Sequence, residues 1–120
     1  MYVCKKMFTE YWKGLSEDEK KKQYVKISAK YKDHIPVVIL NGSDIEIEKN
    51  KYLVNGDITI GQFMYTLRNK IKIKKEEAVF LFLESGELPP NSELVSVIYE
   101  RSKSECGFLI LDIKKESVFG

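Results

Sequence analysis

Residues 51–69 say most about how this chain folds, and they read KYLVNGDITIGQFMYTLRN. Residues 51–54 mix aromatic and β-branched side chains, which predicts a short strand, and the Asn-Gly pair after them closes that strand with a turn. Thr59 follows with Gln62 three residues later, the capping-box pattern that begins an α-helix. The apolar residues beyond the cap recur at helical spacing and are Ile60, Phe63, Met64, Leu67 and Ile71. The segment therefore predicts a strand, a turn and an amphipathic helix.

Two helices are predicted before the first strand. The apolar side chains of the first helix share one face, and they are Phe8, Tyr11, Trp12 and Leu15. Ser16 and Glu19 form a second capping box, so we expect the second helix to extend from Glu17 to Lys30. Trp12 is expected to pack against the rest of the protein. The chain therefore places a helical extension before its sheet.

Three more apolar runs predict the other strands. Residues 35–40 are rich in β-branched side chains and should pair with residues 51–54 as a hairpin. Asn41-Gly42 closes this run, and an Asn-Gly pair favours a turn with positive φ. Residues 78–83 are apolar at every position, which is typical of a central strand covered on both faces. Residues 108–113 form a last buried run, which we also expect to be central.

A shorter helix is predicted between the last two strands. Asn91 or Ser92 can cap it, and it should extend to about Tyr99. The order of elements is then two helices, two strands, and two alternations of helix and strand. This order is typical of a β-grasp sheet, which belongs to the α+β class.

The composition excludes several classes of function. Twenty basic and eighteen acidic side chains among 120 residues leave a net charge of +2, too little to indicate nucleic-acid binding. One histidine and two cysteines, Cys4 and Cys106, provide no pattern for a metal site or a disulfide framework. We see neither a secretory signal nor the roughly 20 apolar residues of a membrane span. The sequence predicts no metal, no cofactor and no catalytic group, so we expect that the protein is not an enzyme.

Five segments carry a resemblance to one family. They are AKYKDHIPVV (29–38), KYLV (51–54), DITIGQF (57–63), LPP (88–90) and ESVFG (116–120). The chain resembles the ubiquitin-like autophagy modifiers, that is, the GABARAP and microtubule-associated protein light-chain family. The resemblance implies an α+β fold, a ubiquitin-like β-grasp with two additional N-terminal helices. It implies a single ubiquitin-like domain over residues 1–120, made of a helical extension (1–31), a β-grasp core (32–117) and a C-terminal conjugation tail (118–120).

The resemblance also implies a mechanism that depends on Gly120. Members of the family are joined through a C-terminal glycine to phosphatidylethanolamine by ubiquitin-like activating and conjugating enzymes. A cysteine protease trims residues that follow the glycine and later removes the lipid. We expect the same partners for this chain, with a cytoplasmic location and, when lipidated, a place on the autophagosome or a related vesicle membrane. The sequence leaves open whether the gene encodes residues after Gly120.

The second implied function is to bind Trp/Phe-x-x-Leu/Ile/Val motifs of cargo receptors and autophagy factors as a strand added beside residues 51–54. The resemblance places six residues around a first pocket: Ile27, Pro36, Val38, Lys51, Leu53 and Phe108. It places five around a second pocket: Tyr52, Val54, Ile58, Phe63 and Leu67. Lys49 and Lys51 would meet the acidic residues that flank such motifs. Arg68 matches a family arginine that contacts acidic groups on ligands and on the processing protease.

Some positions depart from the family pattern and keep a second function open. Asn55 stands where proline is usual, Thr66 replaces a bulkier apolar residue, and Gln23 replaces an acidic residue at the edge of the first pocket. The departures at Asn55 and Thr66 motivate an alternative, an unconjugated adaptor of the same fold that binds peptides, tubulin or trafficking proteins. The apolar pocket residues also have a simpler role, because stripes such as that of Phe63 and Leu67 usually face a core. Both roles can coexist.

Overall fold

The computed structural model describes residues 7–42, 44–74 and 76–116. The helices are α1 (Met7–Gly14), α2 (Glu17–Lys30), α3 (Ile60–Arg68) and α4 (Val95–Ser102). The strands are β1 (His34–Asn41), β2 (Glu46–Ile47), β3 (Lys51–Asn55), β4 (Ile71–Lys72), β5 (Ala78–Leu83) and β6 (Leu109–Glu116). None of the helices in these ranges is long and apolar enough to cross a membrane.

The main sheet has four strands in the order β3-β1-β6-β5, and β2 and β4 form a small antiparallel pair. β1 and β3 are the predicted hairpin, and their register sets Val38 opposite Lys51 and Pro36 opposite Leu53. β6 lies parallel to β1 and antiparallel to β5. The prediction that residues 108–113 are central is confirmed, because β6 is bonded to a strand on each side.

Both predicted capping boxes are present. Ser16 Oγ accepts a hydrogen bond from the N–H of Glu19 at 3.2 Å, and Glu19 Oε1 accepts one from the N–H of Ser16 at 3.0 Å. Thr59 and Gln62 make the same reciprocal pair at 3.1 and 2.9 Å. Each box satisfies N–H groups that the first turn of a helix leaves unpaired. The predicted bounds of α2, Glu17–Lys30, are confirmed.

Helices cover the two faces of the main sheet unequally. On the α3 face, α3, α4 and the β2–β4 pair share one large apolar cluster with the sheet. On the opposite face, which we call the α2 face, α1 and α2 cover a smaller cluster. Its buried members are Trp12, Val38, Leu40, Cys106, Phe108 and Ile110. The helical extension is therefore one outer layer of a three-layer domain.

The prediction that residues 78–83 form a central strand is wrong, because β5 is at the edge of the sheet. Val79, Leu81 and Leu83 face the large cluster and are buried. Phe80 and Phe82 lie on the other side and are half-buried, with their ring centroids 6.4 Å apart. The Lys114 ammonium lies 5.5 Å from the Phe82 ring, so each aromatic side chain on this side has a neighbour that partly covers it.

The end of α3 and the start of α4 also differ from the prediction. α3 ends at Arg68, and Ile71 belongs to β4, where it pairs with Ile47 instead of continuing the helical stripe. α4 begins at Val95, after Leu94 as an N-cap without a side-chain hydrogen bond. The backbone of the preceding segment is used elsewhere, since the Asn91 carbonyl accepts the N–H of Gly61 at 3.0 Å. Tertiary pairing therefore decides both helix ends.

The predicted positive-φ turn at Asn41 and Gly42 is wrong. Within the described ranges, only Gly86 and Gly107 have positive φ. Asn41 is the last residue of β1 instead. Asn55 closes β3 with its side chain, because Asn55 Oδ1 accepts the N–H of Asp57 at 2.9 Å. An Asn side chain commonly stabilises a turn in this way.

Candidate peptide-binding groove

β3 is an edge strand, and its outer side has no strand partner within the described residues. Alternate side chains of a strand point to opposite faces of the sheet. Tyr52 and Val54 accordingly pack in the large cluster on the α3 face. Lys51, whose partner across the hairpin is Val38, stands on the α2 face. A peptide strand that pairs with β3 would therefore have one group of predicted pocket residues on each side of it.

The first predicted pocket lies on the α2 face. Val38 and Phe108 are buried in the small cluster, and Ile27 packs against them from α2. Pro36 is buried on β1 opposite Leu53, which is half-buried. Pro36 also borders an open cavity of about 540 Å³ between the end of α2 and α4. The structure thus gathers the predicted residues along one side of the hairpin.

Lys51 is held by polar and aromatic neighbours. Its ammonium donates a hydrogen bond to Gln23 Oε1 at 2.7 Å, and the Gln23 amide donates to the Tyr11 hydroxyl at 3.2 Å. The ammonium also lies 6.0 Å from the ring centroids of both Phe8 and Trp12. Among the described residues, no carboxylate lies within ion-pair distance of Lys51. Side chains of α1 and α2 therefore hold the Lys51 ammonium in position.

Trp12 lies over the predicted first pocket, a position that the sequence did not reveal. Its side chain is 1% exposed, and its ring meets the Phe108 ring edge-on at 5.3 Å. The prediction that Trp12 packs against the rest of the protein is confirmed, but the site of packing depends on the angle at which α1 crosses the sheet. The buried indole Nε1 has no hydrogen-bond partner within the described residues. Such an unsatisfied donor costs about 1–3 kcal/mol.

The second predicted pocket lies on the α3 face. Val54, Phe63 and Leu67 are buried there, and Tyr52 and Ile58 pack against them. The Tyr52 and Phe63 rings meet edge-on at 5.6 Å. Burial, with a smaller effect of the Glu48 carboxylate, raises the pKa of Tyr52 to about 12, so the phenol stays neutral. Leu67 has no exposed surface, so it supports the floor of this pocket and does not line its opening.

Comparison with known proteins identifies the family of this chain. The family model described as "Autophagy protein Atg8 ubiquitin like" matches residues 19–120. The chain belongs to the Atg8 family. It is 42% identical to autophagy-related protein 8 of Schizosaccharomyces pombe over 117 residues, which cover 95% of this chain and 96% of that protein. It is 46% identical to autophagy-related protein 8B of Oryza sativa over 98 residues, which cover 79% and 82% of the two chains.

Solved structures of Atg8 proteins have the same fold. Trypanosoma brucei ATG8 superposes with a TM-score of 0.79 at 28% identity, covering 92% of this chain and 97% of that one. Plasmodium falciparum Atg8, solved in complex with a Plasmodium falciparum Atg3 peptide, superposes with a TM-score of 0.71 at 30% identity, covering 86% and 93%. The predicted α+β class and ubiquitin-like β-grasp are therefore confirmed, as is the resemblance to autophagy modifiers.

The remaining predicted site residues are Lys49, Arg68 and Gly120. The Lys49 ammonium lies 5.5 Å from the Tyr52 ring, so it belongs with the second pocket, while Lys51 belongs with the first. Arg68 is the last residue of α3 and is half-buried. Gly120 and the rest of the 118–120 tail lie outside the described residues. Their place relative to the groove thus stays a prediction.

Cys106 and His34 are two potentially reactive side chains outside the groove. Cys106 is 2% exposed, and its sulfur lies 2.9 Å from the Ser104 hydroxyl. His34 is an exposed residue at the start of β1. In the ranges that the structure describes, no three His, Cys, Asp or Glu residues are grouped as metal ligands would be.

Proposed function

We propose that this Atg8-family chain is attached through Gly120 to phosphatidylethanolamine and that its β3 groove recruits cargo receptors and autophagy factors. The main support for a peptide-binding groove is the open edge of β3, with Lys51 on one face of the sheet and Tyr52 on the other. A Trp/Phe-x-x-Leu peptide would extend the sheet there and would present its two apolar anchors to the two faces. The family match through residue 120 supports the attachment.

In this proposal the chain is the substrate of other enzymes and has no catalytic role of its own. Its partners would be ubiquitin-like activating and conjugating enzymes, a cysteine protease that processes and delipidates it, and receptors with the peptide motif. The Plasmodium falciparum Atg8 structure with an Atg3 peptide supports peptide binding by this fold. The protein would be cytoplasmic before conjugation and bound to autophagosomal or related membranes afterwards.

Reconstitution tests the attachment. The chain is incubated with activating and conjugating enzymes, ATP and phosphatidylethanolamine liposomes, and its intact mass is measured. The wild type should gain the mass of one lipid, and Gly120→Ala should gain none because the activated carboxylate must belong to glycine. A known family member in a parallel reaction controls for enzyme activity. No gain by the wild type while the known member is lipidated would refute the attachment.

Titration calorimetry with a Trp-x-x-Leu peptide tests the groove. The double variant Lys51→Ala, Leu53→Ala should lose binding, because it removes a cation and an apolar wall from the first pocket. The matched control is Val97→Ala with Lys103→Ala, which removes the same kinds of side chain from the exposed side and end of α4. Unchanged affinity of the Lys51 and Leu53 double variant would disprove the pocket assignment.

The two experiments together also separate the proposal from the unconjugated adaptor. An adaptor would bind the peptide, would gain no lipid and would be indifferent to deletion of Gly120. Two departures motivated this alternative, and Asn55 has a local explanation in its hydrogen bond to Asp57. Thr66 is exposed on α3, where a small polar side chain is tolerated without loss of core packing.

A further inference from the structure

The first pocket already holds an aromatic ring, which belongs to the chain itself. Trp12 of α1 packs with Val38 and Phe108, two of the residues predicted to receive the aromatic anchor of a peptide. The Lys51 ammonium lies 6.0 Å from the Trp12 ring centroid. An indole on an apolar floor beside a lysine is what a Trp-x-x-Leu ligand would place there. A peptide anchor and Trp12 therefore compete for the same surface.

We propose that Trp12 is an internal occupant of the first pocket, and that the aromatic anchor of a peptide enters when α1 lifts Trp12 out. The inference rests on the proposed function of the β3 groove and specifies how that groove is regulated. The second pocket is built by β3 and α3 and makes no use of α1. The aliphatic anchor is thus free to bind first, and the aromatic anchor must displace Trp12.

Several features make the docked α1 displaceable. α1 has eight residues, too few to be stable as a helix away from the sheet. The helix ends at Gly14, where no atom lies within 4 Å of the position that a Cβ would occupy. The connection between α1 and α2 is therefore not packed against the rest of the protein at this residue. The indole N–H is buried without a partner among the described residues, which makes the free energy of docking α1 on the sheet less favourable.

Two polar connections hold α1 in the docked position. Thr9 Oγ1 donates a hydrogen bond to Asn41 Oδ1 at 3.1 Å and accepts one from the Asn41 N–H at 3.0 Å. Tyr11 is joined through Gln23 to Lys51, so the lysine that would meet an acidic ligand also contacts α1. An acidic residue that recruits Lys51 would weaken this second connection. Ligand charge and release of α1 are thereby linked.

The single tryptophan of the chain makes the displacement directly measurable. The full chain is titrated with a labelled peptide that contains acidic residues followed by Phe-x-x-Leu and no tryptophan. Binding is followed by anisotropy, and Trp12 is followed by its own fluorescence. At saturation, the Trp12 emission should shift to longer wavelength and become more accessible to acrylamide. A saturated complex in which Trp12 keeps its emission and its protection would overturn the inference.

Variants provide a second, independent measurement. If the docked form holds about nine-tenths of the molecules, Trp12→Ala should bind the peptide about tenfold more tightly, because the competitor is gone. Thr9→Val keeps the shape of the side chain, lies outside the pocket and removes a connection to Asn41. It should increase affinity in the same direction by a smaller factor. The control, Val25→Ala, changes an exposed residue of α2 and should leave affinity unchanged.

The outcomes separate this inference from the proposed function. Equal affinities for the wild type, Trp12→Ala and Thr9→Val would overturn the displacement of Trp12 and leave the groove intact. No binding by any of these proteins, all of them folded by circular dichroism, would overturn the groove and the displacement together. Should Trp12→Ala fail to fold, Thr9→Val and the fluorescence of the wild type decide the question.

Discussion

The two faces of the main sheet carry buried apolar clusters of different size. On the α3 face, seventeen buried residues form one cluster, whereas six form the cluster on the α2 face. α2 has fourteen residues and none of them is buried. Apolar burial is the main source of stability, so the α3 face contributes most of the free energy of unfolding. The α2 face is a cover whose contacts can be exchanged for those of a ligand.

The largest expected difference between the faces is in global stability. Leu67→Ala empties a fully buried position on the α3 face and should lower the free energy of unfolding by about 2–5 kcal/mol. Trp12→Ala removes a larger side chain that is 1% exposed, yet it should cost less. The reason is that α1 can undock alone, which limits the loss to the free energy of docking α1.

Urea unfolding followed by far-ultraviolet circular dichroism checks this comparison, because it needs no tryptophan signal. Both variants should unfold in a single transition. A loss for Trp12→Ala equal to or greater than that for Leu67→Ala would mean that α1 is part of the same core, and the contrast between the faces would fail.

A smaller effect is expected where α2 meets the sheet. Gly107 has φ of +106°, and a Cβ there would lie 2.5 Å from the ring of Tyr24 on α2. Gly107→Ala should therefore destabilise the protein through backbone strain and through displacement of Tyr24, by about 1–3 kcal/mol.

Gly86→Ala is the matched control for this second prediction. Gly86 has φ of +92°, and no atom lies within 4 Å of its Cβ position, so only the backbone strain remains. The difference between the two midpoints of urea unfolding measures the Tyr24 contact. If both variants lose the same stability, Tyr24 contributes nothing to holding α2, and the α2 face is looser than we infer.

The smallest effect concerns the two capping boxes and pH. The hydrogen bonds from Ser16 lower the pKa of Glu19, the backbone N–H having the largest effect. A lowered folded pKa means that the cap contributes stability above the unfolded pKa and that this contribution is lost as pH falls through the folded pKa. The cap of α3 uses the Gln62 amide, which does not titrate.

Amide exchange measured between pH 6 and pH 3 and corrected for intrinsic rates checks this third prediction. The first turn of α2 should lose protection as the solution becomes more acidic, and the first turn of α3 should keep it. Glu19→Gln gives α2 the non-titrating cap of α3 and should abolish the response. Equal loss of protection in both helices would show that general acid destabilisation, and not the cap, is responsible.

Local patterns allowed much of the fold and part of the site to be predicted. The Ser16 and Thr59 boxes act within four residues, so the starts of α2 and α3 follow from side-chain chemistry alone. The alternation of Lys51, Tyr52 and Leu53 separates the two pockets once residues 51–55 form a strand. Features that depend on distant partners were missed, such as the edge position of β5 and the end of α3 at Arg68.

Short runs of residues were enough to predict the starts of α2 and α3, the hairpin and the family, because each depends on interactions between near neighbours or on a motif. Only the tertiary structure decided that Trp12 lies on Phe108 and beside Lys51. Trp12 is far along the chain from both residues, so no local pattern relates them. Their meeting depends on the direction in which α1 crosses the sheet, and that direction is set by the Thr9–Asn41 pair and by the shape of the apolar surface beneath the helix.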